Sequence, residues 1–183
     1  MNLWINAILY QATWLIAIAG AAHDCWWAGL LALAVFAVWQ LATSSLRRAD
    51  VLLVLSAAAI GFGVDSAFAQ TGLLTYAAAT PWERLAPIWI IALWMSFALT
   101  LNHSLAYLKT HPLFASALGG IGAPLAYLAA AHWGALAFPA VQLPSLLLLA
   151  ATWAVLTPAL CRLAQELCLR SAAPSFALHG GPQ

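Results

Sequence analysis

Charge is what this sequence has least of. Only 6% of its 183 residues are Asp, Glu, Lys or Arg, against the roughly 25% of an average soluble domain. Six basic and 5 acidic side chains leave a net charge of +1 spread thinly along the chain, which excludes the basic footprint of a nucleic-acid-binding surface. Cysteine is scarce and unpatterned. Cys25 stands alone, and Cys161 and Cys168 are seven residues apart, about 10 Å along a helix and beyond disulfide reach, so neither a redox nor a thiolate metal motif forms. Phosphate loops, dinucleotide fingerprints, a Ser-His-Asp order and a haem-attachment cysteine motif are missing as well. His23, Asp24, Glu83 and His132 come from three different loops or helix ends without an i, i+4 pair, which argues against a metal site. The sequence therefore predicts no catalytic set, no cofactor and no metal.

Apolar length is what the chain has in its place, with 65% of its residues hydrophobic. A bilayer core of about 30 Å needs about 20 mostly apolar residues per helix. Six such stretches can be read, at about 3–21, 27–44, 51–70, 88–106, 113–132 and 145–163. Polar or proline stops separate them, and Asp50 is placed to cap the third helix while Pro87 and Pro144 suit a first helical turn. The expected fold is an all-α polytopic membrane protein, a six-transmembrane-helix bundle with short loops over residues 1–170. Residues 171–183, with two prolines, Gly180 and Gly181, read as a short disordered tail.

Six spans bring both termini to one side, together with Arg47, Arg48, Lys109, Arg162 and Arg170, and leave only Arg84 on the other. The positive-inside rule then predicts a bacterial inner-membrane protein with both termini cytoplasmic. Lys109, the only lysine, falls in a cytoplasmic loop, where it cannot carry an intramembrane retinal. Met1 to Ala22 lacks the basic start of a secretory signal and reads as the first permanent span. Most tryptophans mark the membrane interfaces, but Trp14, Trp94 and Trp153 sit deeper and must pack or line a cavity.

Polar groups inside the spans are the candidates for function, because an ionised side chain at a helix centre costs about 2.5–3.5 kcal/mol on insertion scales. Asp65 is the one acid so placed, about 22 Å up the third span, after Gly61 and Gly63, whose missing side chains let a neighbour approach. It reads either as a proton-binding or ligand-orienting carboxylate or as a hydrogen-bonded structural group. Asn102 and His103 lie near the cytoplasmic end of the fourth span, about 100° apart on a helix, which separates them into different sites. Asn6 is at a depth from which it could pair with Asn102. In the fifth span Gly119, Gly120, Ile121, Gly122, Ala123 and Pro124 would weaken a helix, and Pro124 predicts a kink or local unwinding, with close packing of small residues as the other reading. Tyr127 comes one turn later, at about the height of Asp65, where its hydroxyl could satisfy the carboxyl.

The order of Arg47, Arg48, Ala49 and Asp50, then Asp65, then Pro87, Ile88, Trp89, Leu93, Trp94 and the TLNHSL run from Thr100 to Leu105, resembles an uncharacterised family of small bacterial inner-membrane proteins that carries a domain-of-unknown-function label. The resemblance continues through Gly119, Gly120, Pro124, Leu125 and Tyr127 and covers most of the membrane part, with Ala123 standing where relatives have glycine. It implies no catalytic residue. It does imply a lipid connection, since members often lie near genes for fatty-acid modification. The function expected is non-enzymatic or accessory: binding or moving a lipid-like or small amphipathic molecule, with membrane lipids as partners. The alternative is a structural or assembly subunit, with a membrane-protein partner or a homo-oligomer. An intramembrane acyl-chain enzyme would need converging acid, base or metal groups at one depth, which only Asp65 with Tyr127 approaches.

Overall fold

A computed structural model describes residues 3–172. Among these the chain forms six α-helices: α1 (Leu3–Ala22), α2 (Ala28–Thr43), α3 (Arg47–Gln70), α4 (Ile88–Leu101), α5 (Pro112–His132) and α6 (Leu143–Ala172). A 3-10 helix (Ala106–Thr110) links α4 to α5. Two short strands, β1 (Thr75–Tyr76) and β2 (Leu136–Ala137), pair antiparallel with Thr75 opposite Ala137, and tie the α3–α4 loop to the α5–α6 loop. The expected tail is helical at Ser171 and Ala172, within α6, and otherwise lies outside the described residues.

Four helices, α1, α3, α5 and α6, are long and apolar enough to cross a membrane. The six-span expectation is not met by length: α2 has 16 residues and α4 only 14, about 24 and 21 Å at 1.5 Å per residue. The shortening of α4 has a local cause. Asn102 and His103 turn their side chains to Asp50 and Ser104 turns its hydroxyl to Asn6, and the His103 and Leu105 amides both turn back to the Thr100 carbonyl. The helix ends at Leu101 instead of running to 106.

Solvent in the ordinary sense does not suit the outer surface. Leu113 is 84% exposed, Trp4 78% and Val38 71%, and α2 buries only the stripe of Gly29, Leu33, Phe36 and Gln40 while presenting Leu31, Val35 and Val38 outward. A helix apolar on every face belongs in a core or in hydrocarbon. α4 is the core case, buried nearly all round by Trp89, Ile90, Ala92, Trp94, Ala98, Leu99 and Leu101, and it packs against α1, α2 and α3. α5 packs mainly on α6, and α6 joins α3.

Glycine decides two of these seams. A side chain at Gly119 would overlap the Trp153 carbonyl and the Thr157 hydroxyl, so the missing Cβ lets α5 and α6 touch backbone to backbone. A side chain at Gly61 would overlap the Trp94 ring, which lies flat across that gap in α3. Gly63 has open space beside it and no such role. α5 runs unbroken through Pro124, so the predicted unwinding does not occur; close packing of small residues holds the segment helical.

Candidate functional site

Asp65 lies four residues after Gly61, on the same face of α3, and is completely buried. Trp94, held over Gly61, donates from its indole nitrogen to Asp65 Oδ2 at 2.5 Å. Oδ1 accepts two phenol hydroxyls, from Tyr127 of α5 at 2.7 Å and from Tyr76 of β1 at 2.5 Å. The strand pairing fixes Tyr76 over the bundle end, and Trp89 packs against its ring edge while donating to the Ala77 carbonyl. Three donors on two oxygens thus join α3, α4, α5 and the α3–α4 loop through one carboxyl group. Among the described residues no basic side chain pairs with it.

Two of those donors face a cavity. Trp94 and Tyr127 line a space of about 290 Å³ with Tyr10 and Trp14 of α1, Phe97 of α4 and Trp153 of α6. Gly119, Gly122 and Ala123 form the α5 wall. The three tryptophans placed deep by sequence, Trp14, Trp94 and Trp153, all contribute. Trp94 and Trp153 stack with ring centroids 4.4 Å apart, and Phe97 meets Trp153 edge-on at 5.7 Å. The space exists because α5 is drawn onto α6 by Gly119 and packs little on α4 or α1. A smaller void lined by Trp14, Ile18, Trp89, Ile90, Tyr127 and Leu136 continues toward the strand end.

A second buried carboxylate was missed as a site. Asp50 was read as a helix cap, yet it lies in the first turn of α3, where the N-cap residue Leu46 makes no side-chain capping bond. Asp50 Oδ1 accepts from Asn102 Nδ2 at 2.9 Å; Oδ2 accepts from the Ser44 hydroxyl at 2.6 Å and meets His103 Nε2 at 3.0 Å. The separation expected of Asn102 and His103 is therefore wrong, because the chain leaves the helix at Leu101 and both turn onto one acid. Lys109 Nζ donates to Asn102 Oδ1 at 2.9 Å, and Cys168 Sγ to the same oxygen at 3.2 Å. Asn6 does not pair with Asn102. Its amide donates to Gln40 and to the Leu99 carbonyl, and its oxygen accepts from the Ser104 hydroxyl. An acid at the start of one helix followed by an Asn-His pair at the end of the next was the available signal.

Of the other sequence candidates, Gly119 and Gly120 face α6, Gly120 against Ala154, and Pro124 sits half-buried within α5. The chain belongs to the DUF2878 family, described as a protein of unknown function, whose model matches residues 3–159. Comparison with curated proteins and with solved structures returns no match.

Proposed function

We propose that this chain is a six-span protein of the bacterial inner membrane, with both termini cytoplasmic, that binds or moves a lipid-like or small amphipathic molecule as a non-enzymatic or accessory component. The cavity between α4 and α5 carries the reading. It is nearly all apolar, its volume is close to the lower end of the range for ligand pockets, and it lies beside the poorly packed seam between α1 and α5, a lateral route from hydrocarbon. Arg47, Arg48 and Lys109 gather at one end of the bundle with Arg162 and Arg170 of late α6, which supports the orientation. The two short helices complete the span count, α4 as the inner member of the bundle, extended by the Ala106–Thr110 turn, and α2 at its edge.

Asp65 acts here as a clamp on the cavity wall, holding Trp94 and Tyr127 in place. Gly122 offers the test. A Cβ there meets only the Leu118 side chain of its own helix, at 3.9 Å, so Gly122→Leu puts bulk into the cavity and leaves the α5–α6 seam intact. Lipid retained by the purified protein, read by native mass spectrometry, is expected to be lost in Gly122→Leu at unchanged thermal stability. Equal retention in variant and wild type would overturn the proposal.

The fully partnered state of Asp65 and Asp50 favours a second reading, a structural or assembly subunit whose polar groups lock helices together. Co-purification with a larger membrane complex at fixed stoichiometry, undiminished by Gly122→Leu, supports that reading over the first.

A further inference from the structure

We infer that the ligand of this cavity is an uncharged apolar molecule carrying a carbonyl oxygen, a deduction that rests on the cavity being a binding site. The cavity wall holds two buried donors without an acceptor, Trp153 Nε1 and Thr157 Oγ1. They are the only such side-chain atoms among the described residues. Thr157 is completely buried, lies against Gly119 and leaves its hydroxyl unbonded, although threonines elsewhere in these helices bond back to their own backbone, as Thr13 does to the Leu9 carbonyl. Trp153 Nε1 stands beside the Tyr127 hydroxyl without reaching hydrogen-bonding geometry. Tyr127 is already committed to Asp65.

Native proteins rarely leave buried donors unmatched, and an indole N–H can only donate. Trp153 and Thr157 are one turn apart on α6 and both line the cavity, so a carbonyl oxygen lodged against that wall gives an acceptor to a donor that now has none. The rest of the lining offers apolar and aromatic surface to a chain or ring. Charge at the buried end is selected against. A fatty-acid carboxyl would bring a second acid group to the neighbourhood of Asp65, and two acids in one apolar site cannot both ionise. Acyl esters and isoprenoid quinones share the remaining chemistry, an uncharged carbonyl on an apolar body.

The test uses the purified full chain in detergent and competition against tritiated 2-tridecanone. Saturable binding abolished by Gly122→Leu establishes occupancy of the cavity; its absence defeats the parent proposal. Given binding, tridecane is expected to compete about tenfold more weakly than the ketone, the worth of one to two neutral hydrogen bonds. Tridecanoate should compete more weakly still. Thr157→Val and Trp153→Phe should each shrink the preference for ketone over alkane while leaving alkane binding in place, so that a folding defect is distinguished from a lost donor. Equal competition by alkane and ketone, or tighter binding of the carboxylate, overturns this inference alone. Methyl laurate and a decyl-tailed quinone separate the sources, and whichever competes at the level of the ketone supports the assignment and identifies its origin.

Discussion

Replacing Asp65 by Asn and by Leu separates hydrogen-bond accounting from charge. Both variants remove the acid, and both side chains are close to Asp in size. Asn can turn its carbonyl oxygen to the Trp94 indole and its amide to the two phenols, and it has two N–H groups for two hydroxyl oxygens that accept as well as donate. Each partner then keeps one hydrogen bond, the two phenols now as acceptors. Leu leaves an indole and two phenols facing hydrocarbon. At about 1–2 kcal/mol for each stranded donor, moderated because membrane hydrogen bonds are individually weaker than expected, Asp65→Leu should lie about 3 kcal/mol below Asp65→Asn. For a chain of this size that gap corresponds to roughly 6–12 °C in Tm. Thermal unfolding of both variants in the same detergent, followed by intrinsic tryptophan fluorescence, measures it. If Asp65→Asn falls as far as Asp65→Leu, the acid itself is what the site requires, and the clamp argument fails.

Overpacking at the Trp94 seat gives a second measurement. Gly61→Ala drives a methyl into the indole and should cost about 1–3 kcal/mol, seen as a lower Tm and a shifted tryptophan emission. Asp50→Ala strands His103, Asn102 and Ser44 in the buried network at the basic end. A loss of about 3–5 kcal/mol is expected from denaturant titration, and a loss under about 1 kcal/mol would contradict the buried-pair geometry. Burial, reinforced by the neighbouring Asp65, pushes the Tyr76 phenol well above its ordinary value near 10. The folded chain keeps a proton that the unfolded chain releases, so this contribution is complete below about pH 10 and declines above it. Tyr76→Phe should flatten the alkaline fall in Tm.

Legibility in the sequence followed locality. Apolar runs and their stops located all six helices, because a span is defined by its own residues. The Tyr127 hydroxyl was placed near Asp65 by rise per residue alone, since both helices cross the same layer. Trp94 and Tyr76 were not seen as partners of that acid. Trp94 reaches it only because Gly61 lets the ring lie flat, and Tyr76 belongs to a loop whose position depends on pairing with β2, some sixty residues away in the chain. Asp50 was assigned to its own helix for a related reason. An acid in a first turn is ordinarily a local device, and nothing near it in sequence announces that Asn102 and His103 arrive from the end of the neighbouring α4. The error about those two residues came from extending α4 past Leu101, where polar side chains end it.

The ribbon between Thr75 and Ala137 settles which wall of the cavity can give. α5 is fastened along one flank by α6, at its strand end by that ribbon, and in the half nearer that end by Tyr127. Its flank toward α1 and α4 packs little, like a shutter hinged on one jamb. Under the proposed binding role, entry and exit would share one doorway, facing sideways into the membrane, and a neighbour leaning on α1 would bolt it without ever touching Asp65.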